Sequence, residues 1–146
     1  MGRCPRVRRC GSGPLGAARV NQAMGPMVWL SIAAGAVLGA WSRWQLGLLF
    51  NRPGHLMPWG TLLVNVVGGL VIGMALAVFD RRPDLAAAWR PFLITGFLGA
   101  LTTFSTFSAE SLQMLQRGAY GHAVLHTWTH LLGALLATIL GWRLMR

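Results

Sequence analysis

GFLGALTTFSTFSAE, residues 96–110, places a run of hydroxyl side chains inside an otherwise apolar segment. The surrounding residues 92–114 are long enough to cross a hydrocarbon core of about 30 Å as a helix. The stretch nevertheless contains two glycines and several Ser and Thr residues, which stabilise a helix poorly and compete for its backbone hydrogen bonds. It therefore predicts a membrane-spanning helix that is broken in its middle.

A break of this kind constrains what can surround it. Unpaired backbone groups in hydrocarbon cost several kcal/mol each, so the break must be buried in protein, hydrated or occupied by an ion. The exposed carbonyls of a broken helix are good ligands for a hard cation such as sodium. Phe104 and Phe107 share a helical face, a spacing that also fits simple packing. Their electropositive ring edges, beside hydroxyl donors, suit a small anion.

The composition points to lipid as the solvent. Hydrophobic residues make up 54% of the 146 residues and charged residues 11%, whereas soluble domains carry about 25% charged residues. Four apolar segments, 27–50, 60–79, 92–114 and 123–142, are each long enough to span a bilayer. The chain is predicted to be an all-α membrane protein with four transmembrane helices. Its connections NRPGHLMP, DRRPDLAAAWRP and QRGAYGH are predicted to be water-exposed turns.

The charge is strongly positive, with a net charge of +10. In a soluble protein this balance would suggest a nucleic-acid partner. Here most arginines flank apolar segments, as they do in membrane proteins that use charge for orientation, so no nucleic acid is expected. The arginines of the tail, the second connection and the C-terminus outnumber Arg52 and Arg117 on the opposite side. This bias predicts that both termini face the cytoplasm.

The first 26 residues are rich in Arg, Gly and Pro and show no helical periodicity. We expect a disordered basic tail here and a four-helix transmembrane domain over residues 27–146. Met24 and Met27 stand just before the first apolar segment, so translation starting there is the alternative, with the tail an artefact of gene calling. Cys4 and Cys10 have neither zinc-site nor disulfide-framework spacing.

Polar residues within the spans are the candidate functional groups. Thr61 and Asn65 share one face of the second span with Gly69 and Gly73, because they recur every four residues. Asn65 would either hydrogen-bond across helices or line a pathway, where its two N–H donors suit an anion. Arg43, near the end of the first span, would either snorkel to the interface or attract an anion.

Two further features involve titratable side chains. Glu110 is the only acid within a span and would either carry protons or reach water near the end of its segment. His122, His126 and His130 recur every four residues, a spacing that could ligate a metal, although acids and cysteines are absent nearby in the sequence. The chain contains no sequence motif for covalent catalysis, so an enzyme is not expected.

Three stretches resemble the motifs of the CrcB/Fluc family of fluoride channels. They are GAVLGAWSRW at 35–44, GTLLVNVVGGLVIG at 60–73 and GFLGALTTFSTFSAE at 96–110, in the family's order on the first three spans. The third motif is the most specific, and the tail lies outside the resemblance. The resemblance implies a passive, multi-pass fluoride channel of the inner cell membrane, which reduces fluoride toxicity by letting fluoride leave the cytoplasm.

The same resemblance implies an assembly and a cofactor. Family members are antiparallel homodimers of four-span subunits, with two pores and dual topology in the lipid bilayer. A central sodium ion, structural and not transported, is held by backbone carbonyls at the third-helix breaks of both subunits. Carried over by position, its ligands in this chain are Gly99 and Thr102.

The resemblance also assigns the anion pathway. Asn65 corresponds to a donor, and Phe104 and Phe107 correspond to the aromatic edges that meet the anion. Arg43 matches the first-span arginine, and Glu110 matches the acid that follows the third motif. The hydroxyl groups that accompany the pathway are those of Thr103, Ser105 and Thr106, with Thr129 in place of a fourth-span serine.

Departures from the family pattern occur at three positions. Trp44 replaces the usual tyrosine, Ala100 stands where a second glycine is common, and Leu125 occupies the place of a fourth-span tyrosine. Two alternatives to a channel stay open. A small proton-coupled exporter would need an acid in its central pathway, commonly in the first span, where this chain has none. A non-transporting membrane scaffold would not need the polar run in the third span.

Overall fold

The structure is a computed structural model that describes residues 25–51 and 57–146. The tail predicted for residues 1–26 lies almost entirely outside the described residues. The described chain contains helices and no strand. Three of these helices are long and continuous: α1 (Pro26–Phe50), α2 (Trp59–Arg81) and α6 (Tyr120–Leu144). Between α2 and α6 the chain forms α3 (Pro83–Arg90), a π-helical segment (Pro91–Leu98), α4 (Gly99–Leu101) and α5 (Phe104–Gln116).

The four predicted apolar segments each correspond to a helical segment of this structure. By length and composition, the segments Trp59–Arg81, Pro83–Gln116 and Tyr120–Leu144 could each cross a membrane. Helix α1 has 25 residues, but its C-terminal half carries the polar residues Ser42, Arg43 and Gln45, which lower its hydropathy. The all-helical, four-segment architecture is therefore confirmed, with three clear candidate spans.

The predicted break in the third segment is also confirmed. Helix α4 ends at Leu101, and at Thr102 the backbone turns extended with φ −77° and ψ 151°. Thr103 is extended as well, with φ −148° and ψ 118°, and α5 begins at Phe104. Two extended residues between helical segments leave several backbone groups without helical partners, and these groups define the site described below.

The second connection differs from its prediction as a turn, because residues 83–90 form helix α3. Pro83 begins it, a position where the missing N–H of proline costs nothing. Asp84 lies in its first turn and Arg90 in its last, so both charges complement the helix dipole. The short run of Leu and Ala residues between them favours a helix. Pro83 and Asp84 therefore begin a helix at the place where a turn was predicted.

Small residues bring the helices together, as expected for packing in lipid. On α1, an added Cβ at Gly35 would lie 2.8 Å from the backbone nitrogen of Phe97, and one at Gly39 would meet the Phe97 carbonyl. On α2, an added Cβ at Gly69 would lie 2.7 Å from the Ala134 carbonyl of α6. Helix α1 therefore packs closely on the π-helical segment, and α2 on α6.

The broken segment is held in place by this packing. Val64 of α2 contacts Leu98 and Leu101, and these three side chains form the buried core directly beside the break. Because α1 and α2 both pack against the residues that precede Thr102, the break lies at a fixed place between helices. The polar side chains of α2 and α6 can therefore reach it.

Candidate ion site at the helix break

Asn65 of α2 pairs with the backbone of Thr103 in the break. Its Oδ1 accepts a hydrogen bond from the Thr103 N–H at 2.8 Å, and its Nδ2 donates to the Thr103 carbonyl at 3.1 Å. The same Nδ2 lies 3.2 Å from Nδ1 of His130 on α6. Of the two roles open for Asn65, the structure shows hydrogen bonding across helices. Its role as a donor to an anion stays a prediction.

The hydroxyl of Thr103 caps helix α5. It accepts a hydrogen bond from the Thr106 N–H at 3.1 Å, the usual geometry of an N-cap. It also donates to Oγ1 of Thr106 at 3.0 Å and lies 3.2 Å from Oγ of Ser105. Three of the predicted hydroxyl residues therefore cluster at the N-terminus of α5, where the helix dipole favours negative charge.

The break leaves the carbonyls of Gly99 and Thr102 without their usual helical donors. In an unbroken helix these carbonyls would accept from the N–H groups of Thr103 and Thr106. Those N–H groups donate instead to Asn65 and to the Thr103 hydroxyl. The hydroxyl of Thr102 donates to the Leu98 carbonyl at 2.8 Å. Two freed carbonyls at one place fit a hard cation.

A cavity of about 660 Å³ adjoins the break. Phe104 and Phe107 line it, with ring centroids 5.4 Å apart and planes tilted by 45°. Phe104 is 79% exposed in the single chain, whereas Phe107 is half-buried. Several predicted site residues share this cavity: Asn65, Gly99, Thr102, Thr103, Phe104 and Phe107.

A second cavity of about 310 Å³ lies beside α1. Arg43 lines it together with Thr61, Thr103 and Thr106. Thr103 lines both cavities, so the break lies between the cavity that Arg43 lines and the cavity that Phe104 and Phe107 line. The position of Arg43 next to the hydroxyl cluster fits the proposed attraction of an anion.

Glu110 lies in the middle of α5 and is tied to α2. Its Oε1 accepts a hydrogen bond from the hydroxyl of Thr61 at 2.6 Å. Its Oε2 lies 3.5 Å from Nε2 of His126 on α6. Nδ1 of His126 is in turn 3.1 Å from Oγ of Ser111. Glu110 is therefore half-buried in a polar network between three helices and does not extend into water.

Two buried histidines of α6 join the site beside Glu110. His126 and His130 are buried, whereas His122, in the same stripe, is exposed. One ligand atom each from Glu110, His126 and His130 lies within 4.8 Å of the others, close enough to be considered for a metal. We call these three residues the Glu110 cluster. Within the described chain, Glu110 Oε2 and both Nε2 atoms have no hydrogen-bond partner.

The fourth-span hydroxyl predicted for the pathway is not brought to the site. Thr129 lines neither of the two cavities, and its hydroxyl donates to the Leu125 carbonyl of its own helix at 2.7 Å. His130, one residue further along α6, lines the larger cavity instead. The spacing of His126 and His130 was the available signal, because it placed both on one face.

Apolar helical segments around a broken helix, with polar side chains gathered at the break, define a helical membrane protein with a polar site in its interior. The family model described as "CrcB-like protein, Camphor Resistance (CrcB)" matches residues 30–142. The chain belongs to this family.

Three named relatives agree. The chain is 49% identical over 118 residues to the Fluoride-specific ion channel FluC of Cupriavidus pinatubonensis, covering 81% of this chain and 94% of the relative. It is 55% identical over 112 residues to the FluC of Acinetobacter baylyi, covering 77% and 88%. The FluC of Pseudomonas aeruginosa is 54% identical over 112 residues, with the same coverage of 77% and 88%. These relatives are named as channels, in agreement with the expectation of a non-enzymatic protein.

Proposed function

We propose that the protein is a fluoride-specific ion channel, which lets fluoride leave the cytoplasm passively and so reduces its toxicity. The observation that carries this proposal is the break at Thr102 and Thr103, where aromatic rings, hydroxyl groups and a capped helix N-terminus meet. These groups offer a small anion several weak contacts, which favours passage over tight binding. The names of the relatives supply the identity of the anion.

The proposed pathway connects the two cavities. An anion attracted by Arg43 meets the hydroxyl cluster of Ser105 and Thr106 and then the ring edges of Phe104 and Phe107. Thr103 supports this route because it lines both cavities and holds the cluster together. A ring edge carries partial positive charge, so it attracts an anion without the full charge that would hold it in place.

A structural sodium ion fits the break. Gly99 and Thr102 would hold it through backbone carbonyls, which the hydrogen bonds of Asn65 and Thr103 leave free. The bound ion would supply positive charge to carbonyls that otherwise remain unpaired at membrane depth. Two carbonyls are few for a hard cation. Their position along an open cavity supports further ligands from a second copy.

The proposed assembly is an antiparallel homodimer in the inner cell membrane. Phe104 is 79% exposed although it is proposed to meet the anion, and the cavity beside it is open in the single chain. A second copy packed across this surface would enclose the pathway and bring two sets of break carbonyls together. An isologous contact of this kind closes after two copies.

A channel is favoured over a proton-coupled exporter by the position of Glu110, the only acid within the four predicted apolar segments. Glu110 is engaged with Thr61 and His126 and is not in α1, where an exporter would need an acid. The test is fluoride efflux from liposomes that contain purified protein and carry no proton gradient. A channel passes fluoride under these conditions, and substituting Phe104 or Phe107 with Leu slows it. An exporter would require the gradient.

A further inference from the structure

The hydrogen positions around His130 are fixed by its neighbours. Thr103 donates its N–H to Oδ1 of Asn65 and accepts from Nδ2, so the orientation of the Asn65 amide is determined. The second N–H of that amide therefore points at Nδ1 of His130, 3.2 Å away. Because Nδ1 accepts this hydrogen bond, neutral His130 carries its proton on Nε2.

This tautomer argues against a metal in the Glu110 cluster. A histidine nitrogen that carries a proton has no lone pair to offer a cation. Moving the proton to Nδ1 of His130 would set it against the Asn65 N–H and break the pairing with Thr103. For the same reason His130 does not take up a second proton. Glu110 and His126 are the remaining groups of the cluster that exchange one.

Glu110 and His126 face each other through two atoms that each carry a lone pair. The Ser111 hydroxyl donates its hydrogen to a backbone carbonyl, so it accepts from Nδ1 of neutral His126, whose Nε2 is left without a proton. Asn51 donates to the Thr61 hydroxyl at 3.1 Å, so that hydroxyl donates onward to Oε1 of Glu110. The other oxygen, Oε2, lies 3.5 Å from Nε2 of His126, and neither atom has a partner. His126 is completely buried, at 0% exposure. A single proton shared by these two atoms would pair both.

His126 also stacks on a ring of the proposed pathway. Its ring centroid is 5.1 Å from that of Phe107, and the planes differ by 19°. Positive charge against the face of an aromatic ring interacts favourably with its electrons. It also adds to the positive potential at the ring edge, where the anion would lie. An anion beside Phe107 in turn favours the form in which the shared proton lies on His126.

We propose that His126 is a positioning residue for the anion and acts through Phe107, by sharing one proton with Glu110 against the face of that ring. This inference rests on the proposed function. The titratable groups that face His126 are Glu110 on α5 and His130 on its own helix. Helix α2 contributes the hydroxyl of Thr61, and the charge nearest on α1 is Arg43, in the cavity that Thr61 also lines.

The first test compares His126→Phe with wild type in fluoride efflux from liposomes, from mildly acidic to mildly alkaline pH. Phenylalanine keeps a ring on Phe107 but holds no proton. We expect wild-type efflux to slow as the pH rises and the shared proton is lost. Efflux through His126→Phe should be about fivefold slower than wild-type efflux at acidic pH, because a modest cation–π interaction corresponds to a factor of this size. The efflux rate of this variant should not change with pH. His122→Phe, at the exposed histidine of the same stripe, should behave as wild type.

The second test uses the wild-type protein with ¹⁵N-labelled histidine and nuclear magnetic resonance. We expect His130 to carry its proton on Nε2 across this pH range. We expect the histidine signal that is missing from the spectrum of His126→Phe to report the exchange of a proton. Zn²⁺ that shifts the Nε2 signals of both residues would overturn the proposal, because it would show a metal site. So would His126→Phe with wild-type efflux at every pH. A wild-type protein that passes no fluoride would overturn the proposed function, and the nitrogen signals would still decide the shared proton.

Discussion

The amide of Asn65 lets the chain tolerate two extended residues between helical segments. It gives Thr103 one donor and one acceptor, as a neighbouring strand would. Unpaired backbone groups at membrane depth are costly, so this side chain compensates for the break that it contacts. The same pairing diverts the Thr103 N–H from the Gly99 carbonyl. One residue therefore stabilises the break and frees a proposed sodium ligand.

We predict that Asn65→Leu destabilises the protein by about 2 kcal/mol or more, because both backbone groups of Thr103 lose their partner. The measurement is the free energy of unfolding in mixed micelles by denaturant titration. Thr129→Val is the control, since the Thr129 hydroxyl bonds only within its own helix, and it should change stability little. Equal stability of Asn65→Leu and wild type would contradict the proposed role.

At the scale of helices, close approach of α1 to the π-helical segment fixes where the break lies. An added Cβ at Gly39 would meet the Phe97 carbonyl and lie 3.0 Å from the backbone nitrogen of Leu101, whereas one at Gly47 would have nothing within 4 Å. Both glycines lie on α1, so they form a matched pair for testing this contact.

We predict that Gly39→Ala destabilises the protein by about 1–3 kcal/mol, because backbone on the facing segment must move. Gly47→Ala should be neutral or slightly stabilising, since alanine favours a helix more than glycine does. Denaturant titration of both variants checks this. If the two substitutions changed stability equally, close packing of α1 against the π-helical segment would not explain the loss of stability in Gly39→Ala.

The break itself gives a prediction about ions. If Gly99 and Thr102 hold a structural sodium ion, replacing sodium on both sides of the membrane with a large organic cation should slow fluoride efflux. Restoring sodium should restore the rate, because the ion is not consumed or transported. Full efflux without sodium would remove the support for this assignment.

Local sequence predicted the elements that depend on local chemistry. The hydroxyl and glycine run at 96–110 predicted the broken helix, and the four apolar segments predicted the helical architecture. Helix α3 was missed because prolines and arginines also signal a turn, and their helical role depends on exact position. The Glu110 cluster was missed because it joins α5 to α6 through tertiary packing. No spacing within one segment could place Glu110 against His126.

At the scale of the whole molecule, apolar side chains cover much of the surface. Trp29, Trp41 and Trp44 of α1 and Leu131 and Leu135 of α6 are all exposed. Exposed apolar area on this scale fits a lipid environment and contact with another copy. The exposure of Phe104 at the break is a separate feature, because this ring is proposed to belong to the ion pathway.

We predict that the purified protein contains two copies in detergent. The measurement is the protein mass in the micelle, by light scattering with the detergent contribution subtracted. A second copy would cover Phe104 and enclose the cavity beside it. Fluoride efflux from a preparation shown to be monomeric would contradict the proposed assembly and leave the proposed activity intact.

The most direct test of the central proposal compares fluoride with chloride. Liposomes containing the wild-type protein are loaded with one anion or the other, and passive efflux is followed with an ion-selective electrode after a potassium ionophore is added. We predict rapid fluoride efflux and chloride efflux no faster than from protein-free liposomes. Fluoride efflux no faster than chloride efflux would contradict a fluoride-specific channel.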